Sequence, residues 1–289
     1  MNKGALFLIS IGFLSLSFSQ DKPAYRIYDN SGKQVKYEKM ILKIADADVI
    51  CFGELHNDPI AHWLQLEVTK DLYDLKNDKL ILGAEMFESD NQLILDEYLS
   101  GIISENRFEA EARLWSNYQT DYKPLVEFAR EQDIPFIATN IPRRYANVVF
   151  SSGFDGLAAI TDEARKYIAP LPIPYNPELP CYKSMLEMDE MGHRGVNENF
   201  PGSQAIKDAT MAYFIMKNLS PGRTFLHFNG AYHSDHFEGI VWYLKKENPD
   251  LVIRTISTVL VADPENPGDD NTDNADFVIV VPESMTRTH

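Results

Sequence analysis

Six short runs, 49–52, 80–84, 134–138, 224–228, 251–256 and 277–281, are apolar at consecutive rather than alternate positions. A strand that is apolar on both faces must be covered on both faces, and parallel neighbours need a crossover between them. Helical spacing fills most of the gaps. After Asp58-Pro59, an N-cap followed by a first-turn proline, Ile60, Trp63, Leu64 and Val68 recur on one helix face, and similar stretches run over 91–99, 124–131, 204–218 and 237–246. The pattern predicts an α/β fold, a mostly parallel central sheet flanked by helices. The alternation around Asp-Asn-Ser-Gly in 25–40 predicts an edge hairpin. Two segments, 99–122 and the proline-rich 150–202, break the βα alternation and are expected to be helical insertions, the longer one a lid or small subdomain. The Asp-, Asn-, Pro- and Gly-rich run 263–276 predicts a surface loop.

Residues 1–20 carry Lys3, an apolar run over 5–18 and small residues at Ser17 and Ser19, the pattern of a cleavable signal peptide. Residues 21–289 are expected to form a single α/β domain, periplasmic or secreted. The leader offers no cysteine for lipid attachment. A net charge of −16 repels phosphate backbones and anionic lipid surfaces, which argues against nucleic-acid binding. Cys51, in an apolar strand, and Cys181 are expected to remain separate thiols.

In open parallel sheets ligands bind beyond the carboxyl ends of the strands. Those ends carry Gly53-Glu54-Leu55-His56, Gly83-Ala84-Glu85-Met86-Phe87-Glu88, Asn140-Ile141-Pro142-Arg143-Arg144 and Gly230-Ala231-Tyr232-His233. The glycines three residues before His56 and His233 would let the chain turn sharply. Imidazoles with carboxylates form either a ligand set for a divalent metal or a general acid and base. Glu54, His56, Glu85 and His233 are therefore the candidate catalytic residues. Asp235 is expected to cap the helix that follows rather than to ligate a metal, His62 to be exposed and His227 to be a hydrogen-bonded core residue; His236 could join the site.

These motifs, together with Gln204, Asp208 and Met211 in the late helix, resemble the ChaN-like haem-uptake family over most of 45–260, a family related to the Tiki metalloproteases and the erythromycin esterases. The resemblance implies haem as ligand, a role in iron uptake and an outer-membrane haem receptor as partner. From the Tiki side it implies a metal site of His56, Glu85 and His233, and with it an alternative activity as a metal-dependent hydrolase of esters or peptides. Arg143 and Arg144 could hold a haem propionate, or be ordinary surface residues. Tyr182 and His193, in a segment with Met185, Met188 and Met191, are the candidate axial ligands. The same methionines could instead pack on the body of the protein or on a second copy in a homodimer.

Overall fold

The computed structural model describes residues 22–191, 197–268 and 271–288; the expected signal peptide and His193 lie outside the described residues. The strands are β1 (Arg26–Asp29), β2 (Gln34–Val35), β3 (Val49–Glu54), β4 (Leu80–Glu88), β5 (Phe136–Asn140), β6 (Thr224–Gly230), β7 (Ile253–Val261) and β8 (Phe277–Pro282). They form one sheet in the order β2-β1-β8-β7-β3-β6-β4-β5. Every pairing from β8 to β5 is parallel, and β1 runs antiparallel to both β2 and β8.

All six predicted strands are present, and the two-sided apolar pattern has a direct cause. On one face Ile50, Phe52, Leu82 and Phe228 pack with Leu64, Val68 and Leu72 of α2 (Pro59–Lys76). On the other face Val49, Cys51, Ile81 and Phe225 pack against α9 (Phe200–Asn218) and α10 (Ile240–Glu247). Burying a side chain of this size contributes roughly 1.5–3 kcal/mol. Asp58 caps α2 by accepting from the Ala61 N–H at 2.9 Å, as its place before Pro59 predicted.

The remaining helices are α1 (Tyr37–Ile44), α3 (Gln92–Leu99), α4 (Glu105–Glu111), α5 (Lys123–Glu131), α6 (Arg143–Ser152), α7 (Asp162–Arg165) and α8 (Pro180–Met191). The hairpin is shorter than expected, because Met40, Ile41 and Ile44 bury at helical spacing and turn the chain into α1 from Tyr37. A second difference lies after β6. Asp235 opens a single 3-10 turn (Asp235–Phe237), and α10 starts only at Ile240 with Gly239, at φ +52°, as its N-cap, so Asp235 does not cap it. The long insertion is helical, as expected, and joins the body through α9. Ile206 packs with Val149, Leu157 and Ile168, and Ala205 with Tyr182 and Met185. Among the described residues no helix is long and apolar enough to cross a membrane. Cys51 and Cys181 are both free thiols, and burial pushes each up to about 12.

Candidate functional site

The parallel register places the ends of β3, β4 and β6 side by side, with Glu54 opposite Gly230. Glu54 is buried at the end of β3 and accepts three hydrogen bonds: from Tyr122 Oη at 2.6 Å, from Gln65 Nε2 at 2.6 Å and from His56 Nδ1 at 2.9 Å. His56 is thereby fixed through Nδ1, while Nε2 makes no hydrogen bond with the described residues; its side chain is 43% exposed and meets the edge of Trp115 at 4.9 Å. Burial alone would lower the His56 pKa, but the hydrogen bond to Glu54 and the charges of Glu85 and Glu54 outweigh it and raise the value.

Glu85 lies where the β4–β5 register slips between Ala84 and Glu88, and the bulge turns its side chain toward β6. Its Oε2 accepts the Gly230 N–H at 2.8 Å and its Oε1 faces His233 Nε2 at 3.3 Å. His233, in a short 3-10 turn (Ala231–His233), gives its other nitrogen to Asp208 Oδ1 at 2.5 Å, and Tyr182 Oη donates to Asp208 Oδ2 at 2.7 Å. Burial opposes the charge on His233, yet the two carboxylates prevail and raise it to about 10, so it is an imidazolium at neutral pH. Burial also opposes ionisation of Glu85; the His233 charge and hydrogen bond, His56 and the Gly230 N–H overcome it and hold Glu85 well below the usual carboxylate range.

The structure thus brings Glu54, His56, Glu85 and His233 together. The two glycines act by close approach and not through a special turn, since neither has positive φ. A Cβ on Gly53 would lie 2.8 Å from Ala231 Cα, and one on Gly230 would lie 2.9 Å from His56 Nε2. Gly230→Ala is therefore expected to push His56 off Glu54 and to cost about 1–3 kcal/mol, read from urea denaturation together with the His56 imidazole NMR signals.

His62 is buried, not exposed: its ring contacts Gln65 Oε1 at 3.2 Å and the His56 carbonyl at 3.1 Å, and Asp121 lies 3.4 Å away. Asn117 donates to both the His56 carbonyl and Asp121. The segment after β8 closes this shell, with Arg287 Nη1 on Asp58 Oδ2 at 2.5 Å, Thr288 N–H on the Asn57 carbonyl at 3.0 Å and Thr288 Oγ1 on Asp121 at 3.0 Å. His227 is the expected core residue, bonded to Thr139 and Asn229. His236 is exposed, and its backbone N–H binds the Asn274 carbonyl.

Of the other candidates, Arg143 and Arg144 sit apart from this cluster, whereas Tyr182 touches it through Asp208. Arg144 pairs with Asp90 at 2.7 Å and stacks on Tyr145, while Arg143 is exposed and makes no ion pair with the described residues. Tyr182 is 1% exposed, and burial and the neighbouring Asp208 push its phenol far above the ordinary value. Among the described residues no group of three or more His, Cys, Asp and Glu side chains is set to hold a metal ion. The Glu85–His233 pair shows why: both partners are already engaged, and a cation there would have to displace the His233 proton.

A family described as haem-binding uptake, Tiki superfamily, ChaN matches residues 40–244. The chain belongs to this family. A solved structure of Campylobacter jejuni ChaN with cofacially bound haem shares the ChaN fold seen here, with a TM-score of 0.68 and 18% identity over 89% of this chain and 96% of that one. A mutant erythromycin esterase in its open conformation is more distant, with a TM-score of 0.48 and 10% identity over 89% of this chain and 82% of that one. No curated protein matches the chain.

Proposed function

We propose that this ChaN-family chain is exported, binds haem during iron acquisition, and does so at the strand-end surface that carries His56. The observation that carries the reading is the imidazole itself: Glu54 fixes its Nδ1, Trp115 flanks its ring, its side chain is part-exposed, and its Nε2 makes no hydrogen bond with the described residues. Imidazole is an established axial ligand of haem iron, and an aromatic edge beside it suits a porphyrin face. Tyr182 could reach iron only by leaving Asp208. A cell-envelope location, an outer-membrane receptor that hands over the haem and a homodimer belong to the same proposal.

Hemin added to the purified protein should give a saturable Soret shift at micromolar concentration. His56→Ala should weaken binding by about tenfold or more, while Tyr182→Phe should leave it unchanged. No saturable shift would end the haem reading; loss in Tyr182→Phe alone would move the site to the insertion.

A second reading, a hydrolase of esters or peptides, is favoured by the same Nε2 beside Glu85, which together can hold and pass a proton. A panel of ester and peptide substrates, with and without Mn²⁺, Co²⁺ or Zn²⁺, should then show turnover that His56→Ala abolishes. No turnover in any condition would dispose of it.

A further inference from the structure

A separate cavity of about 470 Å³ lies between α9, α10 and the strap formed by 169–174. Its floor is a stripe of one helix face, Ala209, Ala212 and Met216, with Ile173, Tyr243 and Pro174 as walls. The two alanines are what make it a trough, because larger side chains at those positions would fill it. Two bonds hold the strap over the helices, Ala169 N–H to Thr210 Oγ1 at 3.2 Å and Tyr243 Oη to the Pro174 carbonyl at 2.8 Å. The volume falls in the range of small-molecule sites.

The trough has one charged end. Helices α9 and α10 flank β6, and each leads into a strand of the same parallel set, so they run in the same direction and their last turns lie at the amino end of the sheet. Those turns carry Lys217 and Lys246, both on the rim, against the single carboxylate of Glu247. Neither lysine makes an ion pair with the described residues. Instead aromatic rings position both ammonium groups: Lys217 Nζ is 5.6 Å from the Tyr213 ring centre and 5.4 Å from that of Phe214, and Lys246 Nζ is 5.1 Å from Trp242. In a chain of net charge −16, two positioned cations at the mouth of an apolar trough are a local inversion of sign.

We propose that this trough binds an anionic amphiphile with an unbranched alkyl tail, the tail lying along Ala209, Ala212 and Met216 and the head group between Lys217 and Lys246. From Ala209 to Met216 the helix rises about 10 Å, the scale of a medium-length chain. The trough begins at Ala209, next to Asp208 of the strand-end cluster, and runs from there to the last turn of α9, so the lysines that hold the head group lie at the end away from that cluster.

Isothermal titration calorimetry with sodium decanoate should show one saturable site per chain with a dissociation constant below about 0.1 mM, and decyltrimethylammonium, with the same tail and a cationic head, should not bind. The double variant Lys217→Gln/Lys246→Gln should weaken decanoate binding by about tenfold or more and leave the hemin response unchanged. Ala212→Leu, which fills the trough, should abolish decanoate binding; if it fails to fold, the lysine pair, both exposed, decides alone. Absence of decanoate binding, equal binding of the cationic amphiphile, or an undiminished affinity in the lysine variant would overturn the proposal. So would displacement of decanoate by stoichiometric hemin, which would make the trough a porphyrin site.

Discussion

Asp208→Ala is expected to lower folding stability by about 3–5 kcal/mol, measured by urea denaturation at pH 7. Asp208 is 2% exposed and serves two partners at once, the Nδ1–H of His233 and the hydroxyl of Tyr182. Removing it leaves a buried imidazolium with Glu85 as its remaining carboxylate and a buried phenol without its acceptor, and each loss is costly because water cannot enter to replace the bond. Asp208→Asn keeps an acceptor of the same shape and should cost clearly less. Equal and small effects in both variants would show that the His233 pair does not bear on the fold.

Stability is also expected to fall steadily above neutral pH, far earlier than ordinary lysine or tyrosine titration would cause. The sign follows from the direction of each shift. His233 binds its proton more tightly folded, up to about 10, than unfolded, near 6.5, so its contribution is complete below about 6.5 and is lost as pH rises toward 10. His56, also raised, acts in the same sense. Between those limits the folding equilibrium should lose about tenfold per pH unit for each proton held only by the folded state. Glu85, held low, contributes above its ordinary carboxylate value and loses that contribution only as pH falls through its depressed folded value. From about pH 4 to 6.5 two further groups offset each other: His227, lowered by burial to about 4, favours the higher pH, and Asp235, raised by burial to about 6, favours the lower. Denaturation midpoints at pH 6, 8 and 9.5 should therefore descend in that order, and less steeply in Asp208→Asn. A flat profile would contradict the ionised His233.

What could be seen in the chain beforehand follows from where the information resides. The strands announced themselves because burial on both faces leaves consecutive apolar residues, and Asp58-Pro59 marked the start of α2 by local chemistry alone. The four polar residues of the cluster were visible because the parallel sheet puts successive strand ends together, and each end carried its own motif. The surrounding shell was not visible. Gln65, His62, Tyr122, Asn117 and Asp121 come from a helix face and an irregular turn, and only tertiary proximity turns them into partners of Glu54 and His56. The β4 bulge that aims Glu85 has no local signature in Gly83-Ala84-Glu85-Met86. Asp208 offered one signal that could have carried more weight, a carboxylate in the middle of an otherwise small and apolar helix face between Ala205 and Ala212.

The bonds from Arg287 and Thr288 to Asp58 and Asn57 tie the loop that presents His56 to residues more than two hundred positions later. During synthesis β3, α2 and the turn bearing Tyr122 all emerge long before those partners exist. The loop that presents His56 must therefore wait, with Asp58 uncompensated by Arg287, until β8 has docked and brought Arg287 and Thr288 to it. The setting of His56 should on this basis become rigid late in assembly, after the central strands have paired.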